Sequence, residues 1–521
     1  MLSYRKHLAV AAFTALLFVS ATFLLMPGLS GKDIGRIGAW ILIIGLIAGW
    51  PYLKKRPPKA VWIAVLCGLI AIPAFVIERA FGKIDVLGLL VHLQLGIDGA
   101  DLSGMGTDIR EGIGGVVLFL GSCFALWALM NLPRWSFGVP AVALLMINPI
   151  AISMLVYATS APVESDLHTR LATPQVTSSD IRPDVILIYL EGTERTFNQT
   201  SKFGDSYRVI SDYEKEALTF TNIHQVSGTG WTLGGLTASM CGLPVLPNGL
   251  RQLNKFEGQN DFMSSKICLS DVTARVGYQN KFLLGSDVAF SGKNHLLMSH
   301  NFTEIFDRAN LEGMYDQQEL DRAMSGWVYD DQMLFDAAGR VYDESIEDPD
   351  PLLMIVETFG PHGKTAALSR RCTPDGQSVV TADIEGPVTC MLDEMQTFIT
   401  HVQSNRNNRP TLVFLLSDHL HHGPAMKDIV SDAERRNTAL MLSFGYDTPY
   451  LTPGAANDRL ASMLDLYPTM LAVMGLAGPD ARGGLGVSLF SDDPTLVAEK
   501  GLEQLNDELY RNPDLALAIW N

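Results

Sequence analysis

About five apolar runs crowd the first 160 residues, and they constrain the fold more than anything that follows: Leu8 to Met26, Ile37 to Tyr52, Val61 to Ile77, Ile113 to Met130 and Gly138 to Tyr157. Each approaches the roughly 20 residues that a helix needs to cross a bilayer, the second and third at the short end. A cleaved signal peptide is the alternative for the first run, since Arg5 and Lys6 precede it, but repetition favours an integral anchor. Arg5 and Lys6, the stretch Lys54 to Lys59, and Arg134 lie on alternating connections, which assigns those connections to the cytoplasmic side. Five crossings then deliver the long C-terminal part to the outer face, the periplasm of a Gram-negative-like cell. Between the third and fourth runs, the apolar stretch Ile84 to Ile97 is too short to span and reads as an interfacial helix.

Charge divides the chain at the same place. Of its 39 basic and 56 acidic side chains, residues 1–160 carry 12 and 7, and the remainder carries 27 and 49. So acidic an exported part argues against nucleic acid as a partner. Ala161 to Asp184 is polar and rich in Pro, Ser and Thr, as in a linker. Beyond it, strand-like runs (Val185 to Leu190, Lys281 to Gly285, Leu352 to Glu357, Leu412 to Leu416, Ala439 to Phe444) alternate with segments long enough for crossover helices. This pattern predicts a parallel or mixed sheet covered on both faces. The expected organisation is therefore an N-terminal α-helical transmembrane bundle over 1–160, a linker over 161–183 and an α/β domain over 184–521.

Three stretches of that domain carry chemistry. DVILIYLE is a buried strand ending in Glu191, and TLVFLLSDH is another ending in Asp418 and His419. In open α/β sheets ligands bind beyond the carboxyl ends of the strands. The third stretch, VSGTGWTLGGLTASMCGLP, sets glycines ahead of Thr232 and then opens a helix, whose N-terminus suits an anion. A glycine-rich turn with a threonine is most often a simple cap. Together, however, two carboxylates, an imidazole and a hydroxyl make a sensible shell for Mn²⁺ or Zn²⁺, and a cation there activates a hydroxyl.

GTGWT, the strand ending in YLE and the strand ending in SDH resemble the alkaline phosphatase and sulfatase superfamily, in its membrane-anchored phosphoglycerol transferase branch. The likeness runs from about Arg182 to Leu489 and includes GSDVAFSGKNHLLMSHNFTEIFD, GWVYDDQMLFD, LDLYPTML and GLGVSLF. It implies a sulfatase-like α/β fold with a central, mostly parallel sheet. Thr232 becomes the nucleophile, and Glu191, Asp418 and His419 complete the shell of a divalent metal, manganese first, with zinc or magnesium as alternatives. Asp287, Lys293 and His362 fall where relatives hold substrate, although ETFGPHG departs from the Asp-Thr-His type of sequence that relatives more often carry. The implied reaction moves phosphoglycerol from phosphatidylglycerol to periplasmic glucan hydroxyls by way of a phosphoglyceryl-threonine. Alternatives are a phosphoethanolamine transferase acting on glycans or lipid A, and a non-catalytic membrane sensor. A sulfatase proper is disfavoured, because no CxPSR-type motif is present.

Other residues divide between site and scaffold. His421 and His422 follow the SDH element and are either contacts in the site or loop histidines. Trp327, Asp330 and Asp331 in GWVYDDQ either wall the site or cap and anchor a helix. Cys241, Cys268, Cys372 and Cys390 lie in the exported part, and of the three possible pairings the sequence-local one, Cys241 with Cys268 and Cys372 with Cys390, is preferred. Cys67 and Cys123 fall in apolar runs and read as small hydrophobes.

Overall fold

The computed structural model describes residues 10, 13–22, 59–81, 86–95, 106–130, 149–177, 181–247, 262–362, 366–381, 383–422, 431 and 434–521. Two compact units form, one from Met1–Val86 and Leu102–Ser160, the other from Leu87–Asp101 and Ala161–Asn521. The described residues between 59 and 159 form the helices α1 (Lys59–Phe81), α2 (Val86–Leu95), α3 (Gly106–Met130) and α4 (Pro149–Thr159). In the first unit α1 and α3 bury Ala71, Phe75, Val116, Phe119 and Cys123 against each other. Leu66, Leu69, Ile70, Ile113 and Val117 are exposed on the same helices. Among the described residues, Ile109–Trp127 is long and apolar enough to cross a membrane, and Phe13–Thr22 and Leu66–Val76 are shorter apolar helices. The expected run Ile37 to Tyr52 lies outside the described residues, as do parts of the first and fifth runs.

The short apolar stretch read as an interfacial helix is α2, and from Leu87 onward it groups with the second unit. The cause is packing: Leu87, Leu89, Leu90 and Val91 are buried, and a Cβ on Gly88 would lie 3.1 Å from the Trp231 ring. Residues 161–177, read as a linker, are likewise fastened down. Arg170 donates two hydrogen bonds to Glu499, Ser165 donates to Glu508, and Ala172 pairs with Gly484.

The second unit is built on eight strands: β1 (Asp184–Leu190), β2 (Leu218–Phe220), β3 (Gln279–Leu284), β4 (Glu304–Phe306), β5 (Leu352–Glu357), β6 (Thr411–Ser417), β7 (Ala439–Phe444) and β8 (Ala456–Asn457). Their order is β8-β2-β7-β6-β1-β5-β3-β4, and β7 alone runs antiparallel to its neighbours. The central strand β1 is buried throughout, which is why its sequence is continuously apolar rather than alternating. On one face Ile186, Ile188 and Leu190 meet Leu334, Phe335, Val341, Met391, Met395 and Phe398, which come from two long helices. On the other face the Tyr189 hydroxyl pairs with Ser239 at 2.6 Å. The five longest strands coincide with the expected ones to within two residues; the short strands β2, β4 and β8 have too few residues to show a pattern.

At the opposite end of the sheet from the carboxyl termini of β1 and β6, Arg409 clamps Asp184 with two hydrogen bonds of 2.6 and 2.7 Å. Both disulfides follow the sequence-local pairing, Cys241 with Cys268 and Cys372 with Cys390. Closing a loop of 27 residues restricts the unfolded chain, and by chain entropy this contributes about 3 to 4 kcal/mol. A Cys241→Ala/Cys268→Ala variant of the full chain is therefore expected to melt well below wild type in a non-reducing thermal scan. A melting temperature that does not move would show that the bridge adds nothing to folding.

Candidate active site

Adjacent strands β6, β1 and β5 end side by side, with Leu190 in register with Ser417 and Tyr189 in register with Glu357. The residues just past those ends are thereby brought together. Glu191, Asp418 and His419 are all buried, and one donor atom from each lies within 4.8 Å of the others. His419 Nε2 stands 3.3 Å from Glu191 Oε1 and 3.2 Å from Asp418 Oδ2. The other ring nitrogen, Nδ1, donates to the Leu420 carbonyl at 2.9 Å, which orients the imidazole and leaves Nε2 aimed at the carboxylates. Asp418 Oδ1 accepts the Gly192 and His419 N–H groups at 2.9 and 2.8 Å, while its buried Oδ2 has no hydrogen-bond partner among the described residues. Two carboxylates and one imidazole, with an acceptor left over, fit a divalent cation of the Mn²⁺ or Zn²⁺ kind.

The electrostatics point the same way. Burial, then the Asp418 charge, pushes Glu191 up to about 8, against the lowering effect of His419. Burial alone would lower His419, but the Asp418 and Glu191 carboxylates overcome it and raise the imidazole above its usual range. The site therefore holds protons where a cation would otherwise balance the carboxylates.

Thr232 is the first residue of helix α5 (Thr232–Cys241), whose first turn approaches the end of β6. Gly228, with φ of +84°, makes the turn before it, and Trp231, at the N-cap, supplies no side-chain cap. One turn along, a Cβ on Gly235 would lie 1.7 Å from the Asp418 carbonyl oxygen, so only glycine lets the helix sit on the end of β6. The Gln225 side chain joins the same two segments by accepting the Leu420 N–H at 2.7 Å.

Of the residues expected to contact substrate, Lys293 is buried and its Nζ donates to Glu357 at 2.5 Å and to Ser286 at 3.4 Å. His362 stacks on Phe359 with ring centroids 4.4 Å apart. Burial, reinforced by His419 and Lys293, takes the His362 imidazole down to about 3, so it is neutral at physiological pH. Trp327 packs against Phe290 at 4.5 Å, Phe359 at 4.9 Å and His362 at 6.1 Å, and so links the Lys293 loop to the His362 loop. The His422 ring lies 4.4 Å from that of His419. His421 instead faces the scaffold, where its Nε2 donates to the Pro361 carbonyl at 3.0 Å. Asp287 turns onto its own loop, Oδ1 accepting the Ala289 N–H at 2.8 Å.

One residue at the site, Glu357, was not singled out by the sequence, and another, Asp331, was left between the site and a helix cap. Glu357 ends β5 as Glu191 ends β1, an apolar run closed by a carboxylate, and the same signal applied to LLMIVE finds it. Asp331 holds the His362 loop, its two oxygens accepting the N–H groups of Phe359 and Gly360 at 2.8 and 2.7 Å. Asp330 beside it caps its helix, accepting the Met333 N–H at 3.0 Å, so the two acids divide the roles that were open between them.

This fold and this cluster are those of a sulfatase-type phospho- or sulfo-ester site, and the chain belongs to the sulfatase family, whose profile matches residues 183–476, more than half of its length. Enzymes of the superfamily use a divalent metal. Among individual relatives, phosphoglycerol transferase I of Xanthomonas campestris is 27% identical over 474 residues, 87% of this chain and 65% of that protein. Phosphoglycerol transferase I of Escherichia coli O127:H6 is 26% identical over 479 residues, covering 84% and 60%. The chain thus spans less than two thirds of the length of these relatives. Among solved structures, the lipoteichoic acid synthase of Listeria monocytogenes covers 61% of this chain at 13% identity and a TM-score of 0.47.

Two outcomes follow from this geometry. Gly235→Ala should push Asp418 away from the cluster and weaken Mn²⁺ binding by about tenfold or more in calorimetry, whereas Gly313→Ala, with open space around its Cβ, should leave binding unchanged. Because Glu191 and His419 are raised, a cation must displace protons to enter, so Mn²⁺ affinity should strengthen from about pH 6 to about pH 8 with measurable proton release. An affinity independent of pH would contradict the raised carboxyl.

Proposed function

We propose that this chain is a membrane-anchored phosphoglycerol transferase that takes its group from phosphatidylglycerol and passes it to a glucan hydroxyl through Thr232. The observation that carries the reading is the seating of the α5 N-terminus on the buried Glu191, Asp418 and His419 cluster by way of Gly235. Similarity to the Xanthomonas and Escherichia transferases supports the choice of headgroup.

Glu191, Asp418 and His419, with the Thr232 hydroxyl, would hold the divalent cation, manganese in our reading, and when bound it supplies Lewis acidity and favours the deprotonated hydroxyl. Thr232 Oγ attacks phosphorus. The new Oγ–P bond forms as the bond from phosphorus to the diacylglycerol oxygen breaks, and the proton lost by Thr232 ends on the diacylglycerol hydroxyl. The glucan hydroxyl then makes the converse exchange, its proton returning to Thr232. Covalent storage splits one transfer between a lipid and a soluble acceptor into two, each using the same pocket. First-turn N–H groups of α5, uncapped by Trp231, are placed to meet phosphate oxygens. His362 is kept neutral and acts as a hydrogen-bonding partner of the substrate rather than as a charge. Trp327 and His422 wall the pocket and Lys293 stands on the headgroup side, while Asp287, assigned to glycerol by the family likeness, is engaged with its own loop.

The apolar runs of residues 1–160 form the anchor in the bacterial inner membrane, with the catalytic unit on the periplasmic side. Tethering holds the site within reach of lipid headgroups and raises their effective concentration. The test is intact-mass analysis of the purified full chain incubated with phosphatidylglycerol and Mn²⁺, wild type beside Thr232→Ala. Wild type should gain a phosphoglycerol adduct and release diacylglycerol, and the variant should do neither, with turnover lower by at least about a thousandfold. An adduct formed from phosphatidylethanolamine alone would move the chain to the phosphoethanolamine transferases, and silence with both lipids would favour a non-catalytic sensor.

A further inference from the structure

At the ends of β6, β1 and β5 three acids gather: Asp418 and Glu191 just past β6 and β1, and Glu357 as the last residue of β5, in register with Tyr189, with Lys293 reaching Glu357 from the segment after β3. Glu357 and Lys293 are 6% and 3% exposed, and burying such a pair is a costly way to stabilise a sheet end. The pair is also incomplete. Glu357 Oε1 takes the Lys293 ammonium, whereas the buried Oε2 has no hydrogen-bond partner among the described residues. Its charge acts on Glu191 and feels Asp418 and His419, so the carboxylate belongs to the same pocket. Glu357 stands one strand over and two residues back from Glu191, about 8 Å between backbone positions, a span that a polyol headgroup and the glutamate side chain cover together.

We propose, resting on the transferase reading above, that Glu357 is the residue that reads the headgroup: its free carboxylate oxygen accepts a hydroxyl of a polyol phosphate, and Lys293 beside it excludes a headgroup bearing an ammonium. An acceptor buried without a partner calls for a donor, and both a glycerol hydroxyl and an ethanolamine ammonium can donate. Lys293 decides between them. Its ammonium already balances Glu357, so a second cation would meet like charge in a poorly solvated pocket, while a neutral hydroxyl would not. Phe290, whose ring centroid is 5.9 Å from Lys293 Nζ, and Ser286 fix the ammonium in place. Asp287, the residue that the family likeness assigns to glycerol, has one oxygen committed to Ala289 in its own loop.

The test uses the full chain in detergent micelles with Mn²⁺, offering phosphatidylglycerol and phosphatidylethanolamine together and separately, and reading the rate and identity of the Thr232 adduct. Glu357→Gln, assayed at saturating Mn²⁺, should raise the apparent KM for phosphatidylglycerol by about tenfold or more, and Glu357→Asp should restore part of the loss. A Lys293→Gln/Glu357→Gln variant, which keeps a neutral hydrogen-bonded pair and needs no buried charge to fold, should shift the phosphatidylglycerol to phosphatidylethanolamine ratio toward ethanolamine by about tenfold or more. A wild-type adduct from phosphatidylglycerol, with KM and headgroup ratio unchanged in Glu357→Gln and in the double variant, overturns this inference and leaves the transferase reading standing. No adduct from phosphatidylglycerol in wild type overturns both.

Discussion

The contact on which the site depends is the approach of one helix to one strand end, where Gly235 of α5 meets the backbone of Asp418 with no room for a side chain. That contact sets the first turn of α5 against the end of β6. Other parts of the fold brace it. Tyr189 of β1 bonds to Ser239 of the same helix, the Cys241–Cys268 bridge closes the helix end, and Gln225 ties the segment before the helix to the segment after β6. A helix so held keeps its N-terminus pointing at one spot, which is what a positioned nucleophile requires.

The second constraint is charge. Asp418, Glu191 and Glu357 are buried near one another, and among the described residues His419 and Lys293 sit among them as balancing groups. Burial, with the neighbouring carboxylates, raises Glu191, a state that a divalent cation relieves. Around these acids a second tier holds the loops. Asp331 grips the backbone of Phe359 and Gly360, and Glu194 is buried against Arg435 and accepts the His421 N–H. His421 then reaches the Pro361 carbonyl, so the segment after β6 and the loop carrying His362 are fastened to each other.

Much of this was legible before folding. Strands buried on both faces show as unbroken apolar runs, and a carboxylate that stops such a run is conspicuous, which exposed Glu191 and Asp418 at once. Glu357 obeys the same rule but opens ETFGPHG rather than a recognised motif, so its strand was read and its last residue passed over. Asp331 was ambiguous because a helix-start aspartate caps its own helix as readily as it binds a distant loop; here Asp330 does the first and Asp331 the second. The segment 161–177 looked like a linker because polar composition reports solubility and says nothing about the ion pair of Arg170 or the hydrogen bond of Ser165, each with a partner more than 300 residues away.

What the sequence determined by itself was local: which runs are apolar and how long they are, where a strand ends in an acid, where glycine precedes a threonine, and which cysteines are neighbours along the chain. These follow from side-chain type and spacing, which need no third dimension. Only the tertiary structure decided which strand ends are adjacent, that Lys293 pairs with Glu357, that α2 packs by Gly88 against Trp231, and that Asp287 turns into its own loop. The reason is that each of these joins groups far apart in sequence through sheet order and close packing, and no local pattern carries information about a partner it does not contain.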